Sequence, residues 1–308
     1  MTALLKKFRP LSWIRENPVI LKEMRSRMRG WRSFLSLTGF IILLGSFVGA
    51  IYITFAGANN AFPGINARKE FGQALFYTIY SIELFAVCLI SPSLTAGGIA
   101  SEKESQTFDL LRTTLLTARA LVGGKLLAAI SFVLLLLFAT LPILSIAFMF
   151  GGVTVSELLV GTLILVLTAL NFGAIGLFFS SFITRARIAT VLSQGTVVLI
   201  TIGLPIFALM SISIIEVSAF SSPNSVVRET ILLIFGWLIA ISSPVATAVA
   251  TELILIEEQS LFFIRMPIGP GNGILTPSPW LGFVVLYPLL TLLVMWLTIR
   301  IVRRTASQ

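Results

Sequence analysis

Residues Gly97 to Leu127 read GGIASEKESQTFDLLRTTLLTARALVGGKLL. This stretch lies between two long apolar runs and holds the densest charge after the first thirty-odd residues, so it cannot lie in hydrocarbon and must be a solvated connector. Ser101 with Glu104 three residues on has the form of a capping box, and Phe108, Leu110 and Leu111 follow as an apolar edge. The spacing predicts a short helix that starts at Ser101 and carries an apolar edge at its surface. Two readings fit that edge: a knob covered by a soluble partner, or apolar side chains resting on a bilayer surface.

Working outward, the runs on either side set the class. Of 308 residues, 56% are hydrophobic and 11% charged, and the mean hydropathy is +0.99. Soluble domains carry roughly 25% charged residues, so the chain is expected to be an all-α polytopic membrane protein. No polar segment between the runs approaches the ~50 residues of an independent domain, which makes residues 1–308 one transmembrane unit. The chain has no histidine, which excludes histidine-based acid–base catalysis and histidine-ligated metal sites. The single cysteine, Cys88, excludes an internal disulfide. The basic start has no short apolar core followed by a small-residue cleavage site, so no removable signal peptide is expected.

Six spans are expected, at 33–55, 71–99, 120–150, 158–182, 188–214 and 280–301, each long enough to cross a core that takes about 20 helical residues. Bends are expected at Pro142 and Pro205. Residues 1–32 hold nine Lys/Arg. Within them Asn17 is a candidate N-cap and Pro18 sits at the first helical position, while Ile20, Met24, Met28 and Trp31 recur at helical spacing. With Trp13, Lys22, Glu23, Arg25, Arg27 and Arg29, this describes an interfacial helix on lipid headgroups. Residues 230–256 are apolar enough for a seventh span but are broken at Ser242-Ser243-Pro244. Crossing there would place Arg300, Arg303 and Arg304 outside, so a re-entrant or external helix pair is expected instead. That layout leaves eighteen of the 22 Lys/Arg inside and puts only Arg68, Lys69, Arg228 and Arg265 outside, in line with the positive-inside bias. The +9 charge is thus read as topology and headgroup attraction, with no nucleic-acid partner. Residues 257–279, rich in Pro and Gly, are expected as an external loop, and both termini as cytoplasmic.

Inside the spans, Glu83 stands out because a carboxylate at mid-membrane costs about 2.5–3.5 kcal/mol on insertion scales. A translocation role and a structural hydrogen bond both remain open for it. Asn171 and Gln194 are further intramembrane polar candidates, with helix packing the competing reading.

The connector resembles the loop after the second span of ABC-2 type permeases, whose pattern is Glu-x-Glu, Gly-Thr-Leu/Phe-Glu/Asp-Leu-Leu, Thr-Pro-Leu and then Gly-Lys. Glu102, Glu104, Thr107 to Leu111, Thr114 and Gly124-Lys125 match it; Gln106 replaces the usual Gly, and Leu115 the usual Pro. The opening Asn17-Pro18, Lys22-Glu23, Arg25, Arg27 and Arg29 is similar to one branch of that family. The resemblance implies the transmembrane subunit of an ABC transporter, usually an exporter in the inner (plasma) membrane, with two such subunits, as homo- or heterodimer, over two ATP-binding subunits. It implies that 101–112 is a coupling helix, with Glu102, Glu104, Thr107, Phe108, Asp109, Leu111 and Arg112 meeting the ATPase, and that ATP and Mg are held by that partner. The chain has no Gly-x-x-x-x-Gly-Lys-Ser/Thr loop, so no ATP-binding site, catalytic residue or metal ligand is expected in it, and Lys125 is read as an interfacial anchor. The apolar walls favour a hydrophobic, lipid-like or peptide cargo. The competing readings are an intramembrane enzyme, which would need more than Glu83 at depth, and a channel or scaffold that works without an ATPase.

Overall fold

In hydrocarbon every backbone N–H and C=O must be bonded within the chain, so the apolar runs can only be helices. The computed structural model of the protein describes residues 22–25, 30–58, 64–107, 117–218, 225–258, 262–268 and 272–305. Its helices are α1 (Trp31–Ala58), α2 (Ile65–Glu104), α3 (Ala118–Phe150), α4 (Val155–Phe182), α5 (Ala186–Val198), α6 (Leu204–Ser218), α7 (Ser225–Ser242), α8 (Pro244–Glu258) and α9 (Pro279–Thr305). A π-turn, Leu199–Gly203, joins α5 to α6 as one rod. Residues 22–25 are also helical. Six segments are long and apolar enough to cross a membrane, and α7 with α8 form a pair bent by 119°. The architecture is that of an all-α, multi-pass membrane protein.

The long helix α2 is the axis of the bundle, packing most extensively on α4 and then on α3 and α5. Gly176 allows the α2–α4 approach: a Cβ there would stand 2.1 Å from Thr95 Oγ1 and 2.7 Å from the Pro92 carbonyl oxygen. Beside it, the Ser91 hydroxyl donates to the Ala169 carbonyl at 2.5 Å. One core, with Leu84, Phe172, Phe283 and Tyr287, runs between α2, α3, α4 and α9, and a second, with Leu44, Phe71, Phe76 and Ile79, joins α1 to α2 and α3. Phe34, Ile53, Phe138 and Met149 are exposed on the outside of the bundle, where hydrocarbon rather than water suits them.

The bent pair follows from proline chemistry. Pro205 has no N–H for the Thr201 carbonyl four residues back, and the Ser243 hydroxyl at the tip of the pair donates to that carbonyl at 3.3 Å. Pro244 likewise frees the Ala240 carbonyl, which accepts from the Thr247 hydroxyl at 2.5 Å. The Tyr287 hydroxyl donates to the Ser242 carbonyl at 3.1 Å. The tip therefore sits beside Thr201, about 22 Å up the rod from Ala186, and beside Tyr287, about 12 Å into α9, at 1.5 Å per residue.

Two boundaries differ from the sequence reading. The Pro/Gly-rich stretch 257–279 contains an antiparallel hairpin, β1 (Phe263–Ile268) with β2 (Asn272–Pro277), in the register Phe263 opposite Pro277 and Ile268 opposite Asn272. Its inward-facing Ile264 and Thr276 are buried. The second correction concerns Ser101 and Glu104, which do not open a new helix. They are in the last turn of α2, where the Ser101 hydroxyl donates back to the Gly97 carbonyl at 2.5 Å. The capping box that does form is Thr154 with Glu157, at the start of α4.

Candidate functional site

At one end of the bundle, the end that carries Glu104, Ala118, Phe182 and Ala186, the termini of four helices meet. Helix α2 stops there in a Schellman turn. Gln106 N–H donates to the Lys103 carbonyl at 3.2 Å and Thr107 N–H to the Glu102 carbonyl at 3.0 Å. Gln106 takes the left-handed conformation, φ 57°, that this turn requires at its C′ position and that glycine adopts without strain. The chain thus breaks direction before Phe108, and 101–112 is not one helix continuous with the span. Thr107 lies at the exit of the turn, while Phe108, Asp109, Leu111 and Arg112 lie outside the described residues.

The end of α2 is fastened on three sides. The backbone N–H groups of Ile99 and Ala100 donate to the buried Ser180 hydroxyl of α4, at 2.9 and 2.8 Å, and the Lys103 ammonium donates to the Ser181 carbonyl. The Glu104 carboxylate accepts from the Ala186 N–H at 3.1 Å, satisfying an orphan donor at the start of α5 and placing negative charge at a helix N-terminus.

The third fastening is Lys125, which is 3% exposed. Its ammonium donates to Glu102 Oε1 at 2.6 Å, to the Gly98 carbonyl at 3.0 Å and to Glu23 Oε1 at 3.2 Å. These three bonds use all of its protons. One buried cation thereby joins α3, the end of α2 and the helical residues 22–25. Sequence reasoning misplaced it as a surface anchor: a lysine at the head of an apolar run ordinarily snorkels, but here two carboxylates from distant parts of the chain come to it. Glu102 accordingly points inward rather than towards a partner. Of the interfacial residues, Lys22 and Arg25 are exposed and Glu23 is half-buried. Trp13, Arg27 and Arg29 lie outside the described residues.

The intramembrane candidates are not brought together. Glu83 is 2% exposed, lies against Phe40, Val87 and Val133, and has Oε1 without a partner among the described residues; Thr140 is its polar neighbour. The Asn171 amide donates to the Tyr287 carbonyl at 3.3 Å and to the Thr291 hydroxyl at 3.2 Å, stitching α4 to α9. The Gln194 amide donates to the Leu89 carbonyl at 2.6 Å and to the Ser93 hydroxyl at 2.5 Å, tying α5 to α2.

None of the three lines the apolar cleft on one side of α2. That cleft, of about 510 Å³, runs between α2, the rod α5–α6 and α8, and its polar lining residues are Tyr77, Tyr80, Ser81, Thr201 and Glu252, of which the Ser81 and Thr201 hydroxyls donate to the Tyr77 and Val197 carbonyls. Glu252 escaped the sequence reading, which treats 230–256 as an apolar re-entrant or external pair and singles out no side chain in it. Its signal was a carboxylate within the otherwise uncharged run 244–256.

A family model described as "ABC-2 family transporter protein" matches residues 18–299. Comparison with curated proteins found no match.

Proposed function

Because the chain belongs to the ABC-2 family of transporter proteins, and so is a membrane-embedded permease subunit that associates with ABC ATP-binding subunits, we propose that it is half of an exporter docked to its ATPase through residues 107–116. Two ATP-binding subunits serve two permease subunits, and they hold the ATP and Mg. The end of the bundle carrying Lys125 faces the cytoplasm, as do both termini, in the inner (plasma) membrane. The cargo is hydrophobic, lipid-like or peptidic.

The observation that carries this reading is the fastening around Lys125. A segment that transmits force needs a stiff base. The end of α2 is bonded directly to α3, α4 and α5, and through Lys125 of α3 it is linked to the N-terminal helical residues. Phe108, Asp109, Leu111 and Arg112 make the contact in this proposal, whereas Glu102 and Glu104, which are occupied within the chain, hold its base. Movement of the ATPase would then reach α2, α3 and the N-terminal helix together.

The test is copurification of an ATP-binding subunit with the wild-type chain and with a Phe108→Ala/Leu111→Ala variant. Loss of the companion by a variant with unchanged melting supports the docking segment. Retention of both association and ATP-driven transport refutes it and favours a chain that works without an ATPase.

A further inference from the structure

The cleft between α2, the rod and α8 is apolar along its length and polar at one end. Leu84, Phe85, Leu89, Val198, Ile202 and Val249 form its walls, and its volume of about 510 Å³ falls within the ~300–1,000 Å³ of small-molecule sites. Along α2 it runs from Tyr77 to Leu89, about 18 Å at the helical rise.

Two polar atoms at the Tyr77 end have no partner among the described residues: the Tyr80 hydroxyl and Glu252 Oε2. Tyr80 is itself buried, 6% exposed. Its ring is held from behind by Gly161, where a Cβ would stand 3.0 Å from Tyr80 Cε2. Buried polar groups in folded proteins are bonded to protein, water or ligand, and two orphans in one apolar cleft ask for a molecule that donates. The sign of its charge follows from the surroundings. Tyr77 engages the same carboxylate, and the charged group acting on Glu252 among the described residues is a second carboxylate, Glu157. Among the described residues, no Lys or Arg lines the cleft.

We propose that this cleft binds a cationic amphiphile, a long alkyl chain carrying a protonated amine, with the ammonium donating to Glu252 and the Tyr80 hydroxyl and the chain lying along α2 towards Leu89. As a statement about cargo it rests on the export reading; as a statement about binding it does not, because the site lies within one copy of the chain and needs no nucleotide.

The test uses the purified full chain in nanodiscs of neutral phosphatidylcholine, without ATP or companion subunits. Three probes share a hexadecyl chain with a terminal diazirine and differ in head group: amine, carboxylic acid and alcohol. After photolysis, labelled peptides are mapped by mass spectrometry. The amine should label α2 and α5 around Leu89 and Val198 on the order of tenfold more than the acid or alcohol, as a charge-assisted hydrogen bond in an apolar site requires. Glu252→Gln should bring the amine down to the alcohol, and Glu252→Asp should keep the preference. Equal labelling by the three heads, labelling centred elsewhere, or an undiminished amine preference in Glu252→Gln would overturn the proposal. A cleft filled by water alone or closed by a second copy of the chain would leave Leu89 and Val198 unlabelled, also against it. Should Glu252→Gln fail to fold, the head-group series on the wild type decides alone. Failure here leaves ATPase docking untouched, and failure of docking leaves this binding untouched.

Discussion

Lys125 is the residue on which most depends, since its ammonium answers two carboxylates that are themselves three-quarters covered, at 24% and 22% side-chain exposure. Removing one member of such a group strands the others. Lys125→Met should therefore destabilise the protein by about 2–3 kcal/mol, less than a fully buried pair costs because both carboxylates keep some water. Adding Glu102→Gln should recover part of the loss in detergent melting curves; an unchanged melting temperature in Lys125→Met would show the cluster to be idle. At Gln106 the sign reverses. A non-glycine residue at φ 57° is strained by roughly 1–2 kcal/mol, so Gln106→Gly should stabilise by about 1 kcal/mol after its own entropy cost. The family pattern had already marked 106 as a glycine position, so this site was legible in sequence once the turn was located. Glu102 and Glu104 were legible as charged residues of the connector but not by partner, because the groups they bond, Lys125 and the Ala186 N–H, are distant in sequence.

At the scale of elements, apolar length and Pro/Gly punctuation pointed to the long apolar helices, although α2, Ile65–Glu104, is longer at both ends than the expected 71–99. Hydrogen-bond satisfaction in hydrocarbon leaves such runs little alternative. The Ser243-Pro244 break was equally readable. What periodicity could not supply was where the tip of the bent pair packs, which is set by the Ser243–Thr201 and Tyr287–Ser242 bonds, or the hairpin at 263–277, whose pairing is non-local to any helical pattern. With Cys88→Ser as background, Glu229→Cys and Phe262→Cys should be modified by an impermeant maleimide from the same side of the membrane. Modification from opposite sides would make the pair a seventh span. The α2–α4 contact gives a second expectation. Gly176→Ala sets a methyl 2.1 Å from Thr95 Oγ1 and 2.7 Å from a backbone oxygen, of which only the hydroxyl can swing aside. The helices must then separate, at a cost of about 1–3 kcal/mol. Melting equal to wild type would contradict that packing.

For the molecule as a whole, composition alone announced a membrane protein, and the connector's motif pointed to the family that the match over residues 18–299 shows. The cleft was not legible, because its lining comes from α2, the rod and α8 and depends on how the bent pair folds back. Glu83, Asn171 and Gln194 drew attention by their polarity in apolar runs; two of them spend that polarity on neighbouring helices. Glu83, with one oxygen unpartnered, is expected to alter ATP-driven transport when changed to Gln while the protein still folds. An unchanged rate would assign it to packing.

The central claim is that this chain is driven from outside itself, through the segment that leaves the fastened end of α2. A photo-crosslinking residue in place of Phe108, illuminated in intact cells, tests it directly. The account predicts an adduct with the mass of this chain plus one ATP-binding subunit, formed from the cytoplasmic side. No adduct with a nucleotide-binding chain, or reaction of position 108 with a reagent confined to the opposite compartment, would contradict it.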